Sequence, residues 1–311
     1  MQRAFSYAGC AAVAASILLA DARMHLLPEP ALTPERFAMR LEPVSLDDEA
    51  PRGWRIGGAW ELRGHDRAFS GLSGLEFDED GMLVAVTDGG LLVRFGEIGA
   101  GDRPVAVRAA PIDPGGRERD AEAIAARGGA LLVAYEGTPT LLRRVGRRTQ
   151  RFALPGFVKG NTGAEALFDG GTRLYAIGED GRRAAWFANG RSGTARLAGA
   201  EDAPTGAARW PGRRDGLLLQ RGLGLTGFRA GVSTLRVAET DRLEAGPLEP
   251  LGLAWSDNAE GIAIRRRTDA PGYEVWIVTD DNAKPPQRTL LVRYDVAQDG
   301  WPFAQASGET P

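Results

Sequence analysis

The run Asp120-Ala121-Glu122-Ala123-Ile124 decides the fold, because variants of it recur along the chain: Ser73-Gly74-Leu75-Glu76-Phe77 before it, and Gly163-Ala164-Glu165-Ala166-Leu167 and Asn258-Ala259-Glu260-Gly261-Ile262 after it. The embedded glutamates are 46, 43 and 95 residues apart. The long gap is close to two periods. Near its middle, Thr205-Gly206-Ala207-Ala208-Arg209 reads as a degenerate copy with Ala208 in place of the glutamate. A self-similar period of roughly 20 to 50 residues marks a solenoid or a propeller.

Working outward, each copy is followed by a turn and an apolar strand that usually closes on an acid. These strands are 83–88 ending at Asp88, 131–136 at Glu136, 174–179 at Glu179 and 275–280 at Asp280, whereas the fourth, 217–220, ends at Gln220. Two further strand-like runs follow in the second copy, 140–145 and 151–154, separated by Gly, Arg and Thr positions that read as turns. Four short strands in about 45 residues is the content of a propeller blade. The reading is therefore all-β: a single β-propeller of four-stranded blades. Five copies occupy residues 70–294, and the run 40–62, with Trp54, Ile56 and Trp60, is left to build most of a sixth. A six-bladed ring is expected, its N- and C-terminal residues sharing one blade and hiding the sheet edges.

At the N-terminus, Met1-Gln2-Arg3 precedes an apolar small-residue stretch at 7–20 and then Asp21-Ala22-Arg23. This is the layout of a secretory signal peptide with cleavage after Ala22; spanning a bilayer takes about 20 apolar residues. An uncleaved anchor is the alternative. The expected plan is a signal over 1–22, a lead-in over 23–38 and one domain over 39–311, in a periplasmic or secreted protein. Cys10, the single cysteine, falls inside the signal, so no disulfide or cysteine-ligated metal is expected in the remainder. With 38 basic and 41 acidic residues the formal charge is −3, too little field for nucleic acid or an anionic membrane. The chain is expected to be a monomer that meets a small-molecule ester or phosphoester.

Nucleophilic catalysis finds little support. In Ser70-Gly71-Leu72-Ser73-Gly74, Leu75 stands where a nucleophile elbow needs its second glycine, and no helix follows. A triad needs a histidine, and beyond the lead-in, which holds His25, only His65 remains. Scarce histidine and absent cysteine also disfavour zinc. Carboxylates are the abundant resource. Glu76, Glu122, Glu165 and Glu260 share a phase in the repeat, so in a propeller they ring the central channel. Like charges converging there repel and are costly to desolvate. Two devices relieve that: a Ca²⁺ ion, which takes six to eight oxygen ligands, held by Glu76, Glu122, Glu165, Glu260 and Asp280; or blade-to-blade pairing with backbone N–H groups or an arginine such as Arg119 or Arg221. Both remain open, and they can hold at different blades. Asp280-Asp281-Asn282 is equally a ligand cluster or an Asx-type turn. Arg119, Lys159 and Arg288 lie beside these phrases and are the expected substrate-binding cations.

The phrases Gly71-Leu72-Ser73-Gly74-Leu75-Glu76, Asp120-Ala121-Glu122-Ala123-Ile124, Asp257-Asn258-Ala259-Glu260-Gly261-Ile262 and Trp276-Ile277-Val278-Thr279-Asp280-Asp281-Asn282 together resemble the phytase-like family described as having esterase-like activity, over residues 69–294. The resemblance implies a propeller, export, and hydrolysis of phosphate or carboxylic esters. Joined to the residue reading, it makes the expected function a metal-assisted hydrolysis with a ring glutamate, Glu122 or Glu260, as general base. The alternative is a binding module that holds a small anionic or sugar-like ligand at the channel without turning it over.

Overall fold

The computed structural model describes residues 35–46, 49–63, 71–98, 105–114, 120–160, 163–224, 227–282 and 286–302, with side chains from residue 38 onward. The signal and nearly all of the lead-in expected from sequence lie outside the described residues. All of the regular structure described is β: twenty-two strands and no helix. No helix among the described residues is long and apolar enough to cross a membrane.

The chain opens with β1 (Glu35–Pro43) and β2 (Trp54–Arg63); β1 begins inside the expected lead-in. Four antiparallel meanders of four strands follow. The first is β3 (Leu72–Phe77), β4 (Leu83–Thr87), β5 (Leu91–Phe95) and β6 (Val105–Pro111); the second is β7 (Ala121–Arg127), β8 (Ala130–Tyr135), β9 (Thr140–Val145) and β10 (Arg148–Ala153). The third is β11 (Ala164–Asp169), β12 (Leu174–Gly178), β13 (Arg183–Ala188) and β14 (Arg191–Ala198). The fourth is β15 (Ala203–Arg209), β16 (Gly216–Gly224), β17 (Gly227–Glu239) and β18 (Arg242–Ala245), with β19 (Glu249–Pro250) beside β17. The last three strands are β20 (Asn258–Arg266), β21 (Tyr273–Asp280) and β22 (Leu290–Val296).

The innermost strands β3, β7, β11, β15 and β20 contact one another in sequence order, and β20 returns to β3. The arrangement is propeller-like, and the described strands form five four-stranded units, where six blades are expected from sequence. The difference lies in the run 40–62. It supplies no unit of its own: β2 pairs antiparallel with β22 and becomes the fourth strand of the sheet β20-β21-β22, while β1 bridges β2 and β6 on the outside. Three C-terminal strands were one short of a complete sheet, and β2 fills the vacancy.

Middle strands are buried on both faces because each sheet is sandwiched between two neighbours. Leu83–Thr87 and Leu174–Gly178 are accordingly buried at every position, and their near-continuous apolar sequence is what a strand covered on both faces requires. Outer strands keep the two-residue alternation, as in β6. The core is thus a set of layers between adjacent units. Val84, Val86, Ile124 and Val133 fill the layer between the first and second, and Leu217, Leu219, Val275 and Ile277 that between the fourth and fifth. Turn chemistry agrees: Asn189-Gly190, both at positive φ (50° and 74°), closes β13 onto β14 in the geometry a two-residue hairpin needs.

Closure rests on aromatic packing. Trp54 on β2 is buried, its Nε1 donates to the Trp301 carbonyl at 2.8 Å, and its ring lies 5.7 Å from that of Tyr294 and 6.0 Å from that of Trp301. Trp60 stacks on Trp276 at 6.1 Å. Trp54→Ala leaves a cavity at the seam, and the expected loss is about 3–5 kcal/mol of unfolding free energy, read as a fall in the denaturant midpoint. A loss below about 1 kcal/mol, the size of an ordinary surface substitution, would show that the seam does not hold the ring.

Candidate functional site

Every innermost strand carries one break in register at the same step: between Ser73 and Leu75, Ala121 and Ala123, Ala164 and Ala166, Pro204 and Gly206, and Ala259 and Gly261. The extra residues are Gly74, Glu122, Glu165, Thr205 and Glu260. A bulge turns one side chain out of the alternation, so three of the four predicted glutamates share one position at the end of the channel where the innermost strands begin. We call this end the mouth.

Glu76 does not join them. It lies two residues beyond the bulge, and its carboxylate accepts the N–H groups of Phe77 at 2.8 Å and Ala126 at 3.1 Å. Ala126 is four residues past Glu122 on β7, roughly 13 Å away at about 3.3 Å per residue. Beside it, Arg127 and Arg209 both pair with Asp169, at 3.1 and 3.3 Å, and Arg127 also donates to the Gly171 carbonyl at 3.0 Å. Burial raises the Glu76 carboxyl to about 7 despite the two backbone donors. The metal role expected of Glu76 is therefore corrected: it ties units together at the far end. A hint was present in the sequence, since Glu76 precedes Asp88 by 12 residues whereas Glu122 and Glu165 precede Glu136 and Glu179 by 14.

The second strands add another layer. The residue before each bulge pairs with Tyr135, Gly178, Gln220 and Thr279 in units two to five, so the next residues, Glu136, Glu179, Arg221 and Asp280, stand in equivalent places. The fourth copy thus departs from the others at Thr205 and Arg221, and the expected departures at Ala208 and Gln220 are corrected by this register. Ala208 is buried opposite Leu217. Gln220 is structural: its Oε1 accepts the N–H groups of Glu201 and Asp202 at 2.8 and 3.0 Å, and its Nε2 donates to Ser233 at 2.8 Å.

At the mouth, Asp88, Asp120 and Glu122 each bring one carboxylate oxygen to within 4.8 Å of the other two. Asp120 holds a left-handed φ of 64°, uncommon for a residue with a side chain, and its carbonyl accepts the N–H of Glu136 at 2.8 Å. Gly71 makes room for Asp88: a Cβ there would sit 2.1 Å from Asp88 Oδ2, and φ is 74°. The Gly71 N–H donates to Asp280 Oδ1 at 2.9 Å, joining the first unit to the fifth. Arg221 donates to both Glu260 and Asn258, and Asn258 Nδ2 donates to Glu260 Oε1 at 2.6 Å. One of the arginines anticipated for blade pairing thus does pair a ring glutamate. Thr205 is 2% exposed, and its hydroxyl has no hydrogen-bond partner.

Crowding shows in the acidities. Burial, then the charges of neighbouring carboxylates, raises Asp88 and Glu165 to about 8 and holds Glu122 well above the ordinary range. Glu136 is raised to about 7 by burial and by Asp120, and Asp280 to about 6 mainly by burial. Burial also raises Glu260 to about 7, with Arg221 the principal opposing charge. Oxygen donors of this kind suit a hard cation such as Ca²⁺; the cluster contains no imidazole or thiolate.

The expected substrate cations fare differently. Arg119 lies outside the described residues, as do His25, His65 and Ser70. Lys159 is exposed on the loop from β10 to β11. Arg288 directs its fork to Asp257, at 3.1 and 2.7 Å, clamping residues 251–257; its charge is already matched. Of the Asp280-Asp281-Asn282 trio, Asp280 enters the mouth and Asn282, at φ 47°, serves the turn by donating to Gln287 at 2.8 Å. Sequence reasoning did not single out Asp120, although it directly precedes the recurrent phrase, or Asp88 as a ligand.

A carboxyl held above its ordinary value keeps, in the folded protein, a proton that the unfolded chain has released. Between pH 4.5 and about 8 the folded state is the better proton binder, so stability falls as pH rises. Chelator-treated protein should have a higher Tm at pH 5.5 than at pH 8, and Glu165→Gln should flatten that slope. A Tm that rises over the same interval would contradict this account of the mouth.

No curated protein matches the chain. Among solved structures, Myxococcus xanthus glutaminyl cyclase is similar at 16% identity, covering 80% of this chain and 99% of that one, with a TM-score of 0.48. The Malassezia sympodialis allergen Mala s 1 is similar at 11% identity, with coverage of 81% and 82% and a TM-score of 0.42. The sequence profile "Phytase-like: Esterase-like activity of phytase" matches residues 67–283, a span that contains every mouth carboxylate described above, and the chain accordingly belongs to this phytase-like family.

Proposed function

We propose that the protein is an exported, five-bladed propeller hydrolase that acts on uncharged carboxylic esters or lactones at the carboxylate-lined mouth, with a Ca²⁺-type cation as cofactor. The observation that carries this reading is the charge balance. Asp88, Asp120, Glu122, Glu136, Glu165, Glu260 and Asp280 gather there, and Arg221 is the one cation that an ion pair ties to them among the described residues. A phosphate monoester, itself an anion, would meet repulsion and, among the described residues, no cluster of arginines. An ester carbonyl carries no such penalty.

Asp88, Asp120 and Glu122 would hold the cation, which when bound polarises a carbonyl and makes a nearby water more acidic. Glu260, at about 7, is matched to accepting a proton near neutral pH, and Asn258 and Arg221 fix its orientation. The mouth's rim supplies an apolar side. Trp255 is 62% exposed and Leu223 76% exposed. Leu223 pairs with Phe228, whose N–H donates to the Trp255 carbonyl at 2.7 Å, and the Arg221 guanidinium lies 5.6 Å over the Phe228 ring. Exposed large apolar groups beside a polar centre mark a contact surface, here for the acyl or aryl part of an ester. Export rests on the signal-like residues 1–22.

The test is hydrolysis of matched aryl ester and aryl phosphate panels by chelated and Ca²⁺-loaded protein. Expected are cation-dependent turnover of the esters, a fall in kcat of about 10²-fold or more for Glu260→Gln, and a raised KM with little change in kcat for Trp255→Ala. Faster turnover of the phosphates would overturn the substrate class. Tight Ca²⁺ binding with no turnover of either panel would replace the hydrolase with the binding module.

A further inference from the structure

A second cavity, of about 720 Å³, lies between the second and third units. It is flanked by the β9–β10 and β13–β14 turns, at the end of the sheets away from the mouth. Its walls are apolar: Leu141 and Phe152 pair across β9 and β10, and Leu174 and Phe187 pair across β12 and β13. Leu141 and Leu174 are buried, whereas Phe152 and Phe187 are only half-buried. Arg143 stands two residues from Leu141 on β9, so it shares the face that looks into the cavity. Arg191 enters from the start of β14.

No carboxylate lines this cavity. Two of its four arginines are committed, Arg127 to Asp169 and Arg151 to Asp113. The guanidinium groups of Arg143 and Arg191 have neither an ion pair nor a hydrogen bond among the described residues. The remaining polar lining, Gln150, Asn189 and Ser192, is neutral. Two unpaired guanidinium groups above aromatic walls form the complement of one kind of small molecule, and a cavity of this size suits a drug-sized ligand.

We propose that this inter-unit cavity binds a free amphipathic anion, its hydrocarbon portion between Phe152 and Phe187 and its carboxylate or sulfonate on Arg143 and Arg191. Charge complementarity selects the head group, and the half-buried rings select the tail. The site is separate from the mouth and does not depend on the protein's being a hydrolase.

The experiment is a fluorescence titration of the full-length protein with 8-anilinonaphthalene-1-sulfonate, followed by displacement with octanoate and, separately, with neutral 1-octanol. Both arginines lie outside the packed layers, so Arg143→Glu and Arg191→Glu are expected to fold. The double variant should weaken octanoate by about a hundredfold, and Phe187→Ala should weaken both head-group classes. Octanol displacing as well as octanoate would overturn the proposal, as would unchanged octanoate affinity in the double variant or no binding at millimolar octanoate.

Discussion

One bulge per innermost strand, at the same step each time, turns a single residue from each unit toward the mouth. In three of the five units that residue is a glutamate, and acids from the second strands and the connecting loops crowd in behind it. Repulsion among these groups is the constraint on which the rest depends. Placed in water they would ionise freely; held together and partly buried, they must share protons, accept Arg221, or take a cation. The positive φ of Asp120 and the bare backbone at Gly71 both serve the crowding, since each lets a carboxylate occupy a place that an ordinary backbone or a Cβ would deny it.

The opposite end solves the same electrostatic problem differently. Glu76 and Asp169 are supplied with backbone donors and two arginines, so the charges there are locally balanced and link neighbouring units. Propeller-like rings depend on such links because the packing is mostly between neighbouring units and the core is divided into layers. At the mouth, Arg221 is the one ion-pair partner of the gathered acids among the described residues, so charge is balanced more fully at the far end.

Much of this was readable beforehand. The recurrence around Glu122, Glu165 and Glu260 identified the units, their four-strand content and the inward-facing position, because a repeat must place equivalent residues equivalently. Glu76 looks equivalent to the other glutamates, and Ala208 to the missing acid, because matching residue identity along the repeat ignores the residue that each backbone bulge inserts. A period-two strand with one extra residue shifts phase, and no local composition reports that shift. The place of the run 40–62 is hidden for another reason: pairing between Trp54 and Val296 spans nearly the whole chain, and long-range pairing leaves no periodic trace. The sequence does not mark Asp88 and Asp120 as partners of Glu122 because their closeness is a property of two loops and a bulged strand and not of a spacing.

The central claim is that the mouth carboxylates are arranged for a cation and not merely for shared protons. It is tested most directly by crystals grown at about pH 8 with calcium, measured for anomalous scattering. The account predicts a single strong peak bounded by oxygens of Asp88, Asp120 and Glu122. A map with no peak there, and with these carboxylates spaced as protonated pairs or turned onto Arg221, would contradict it.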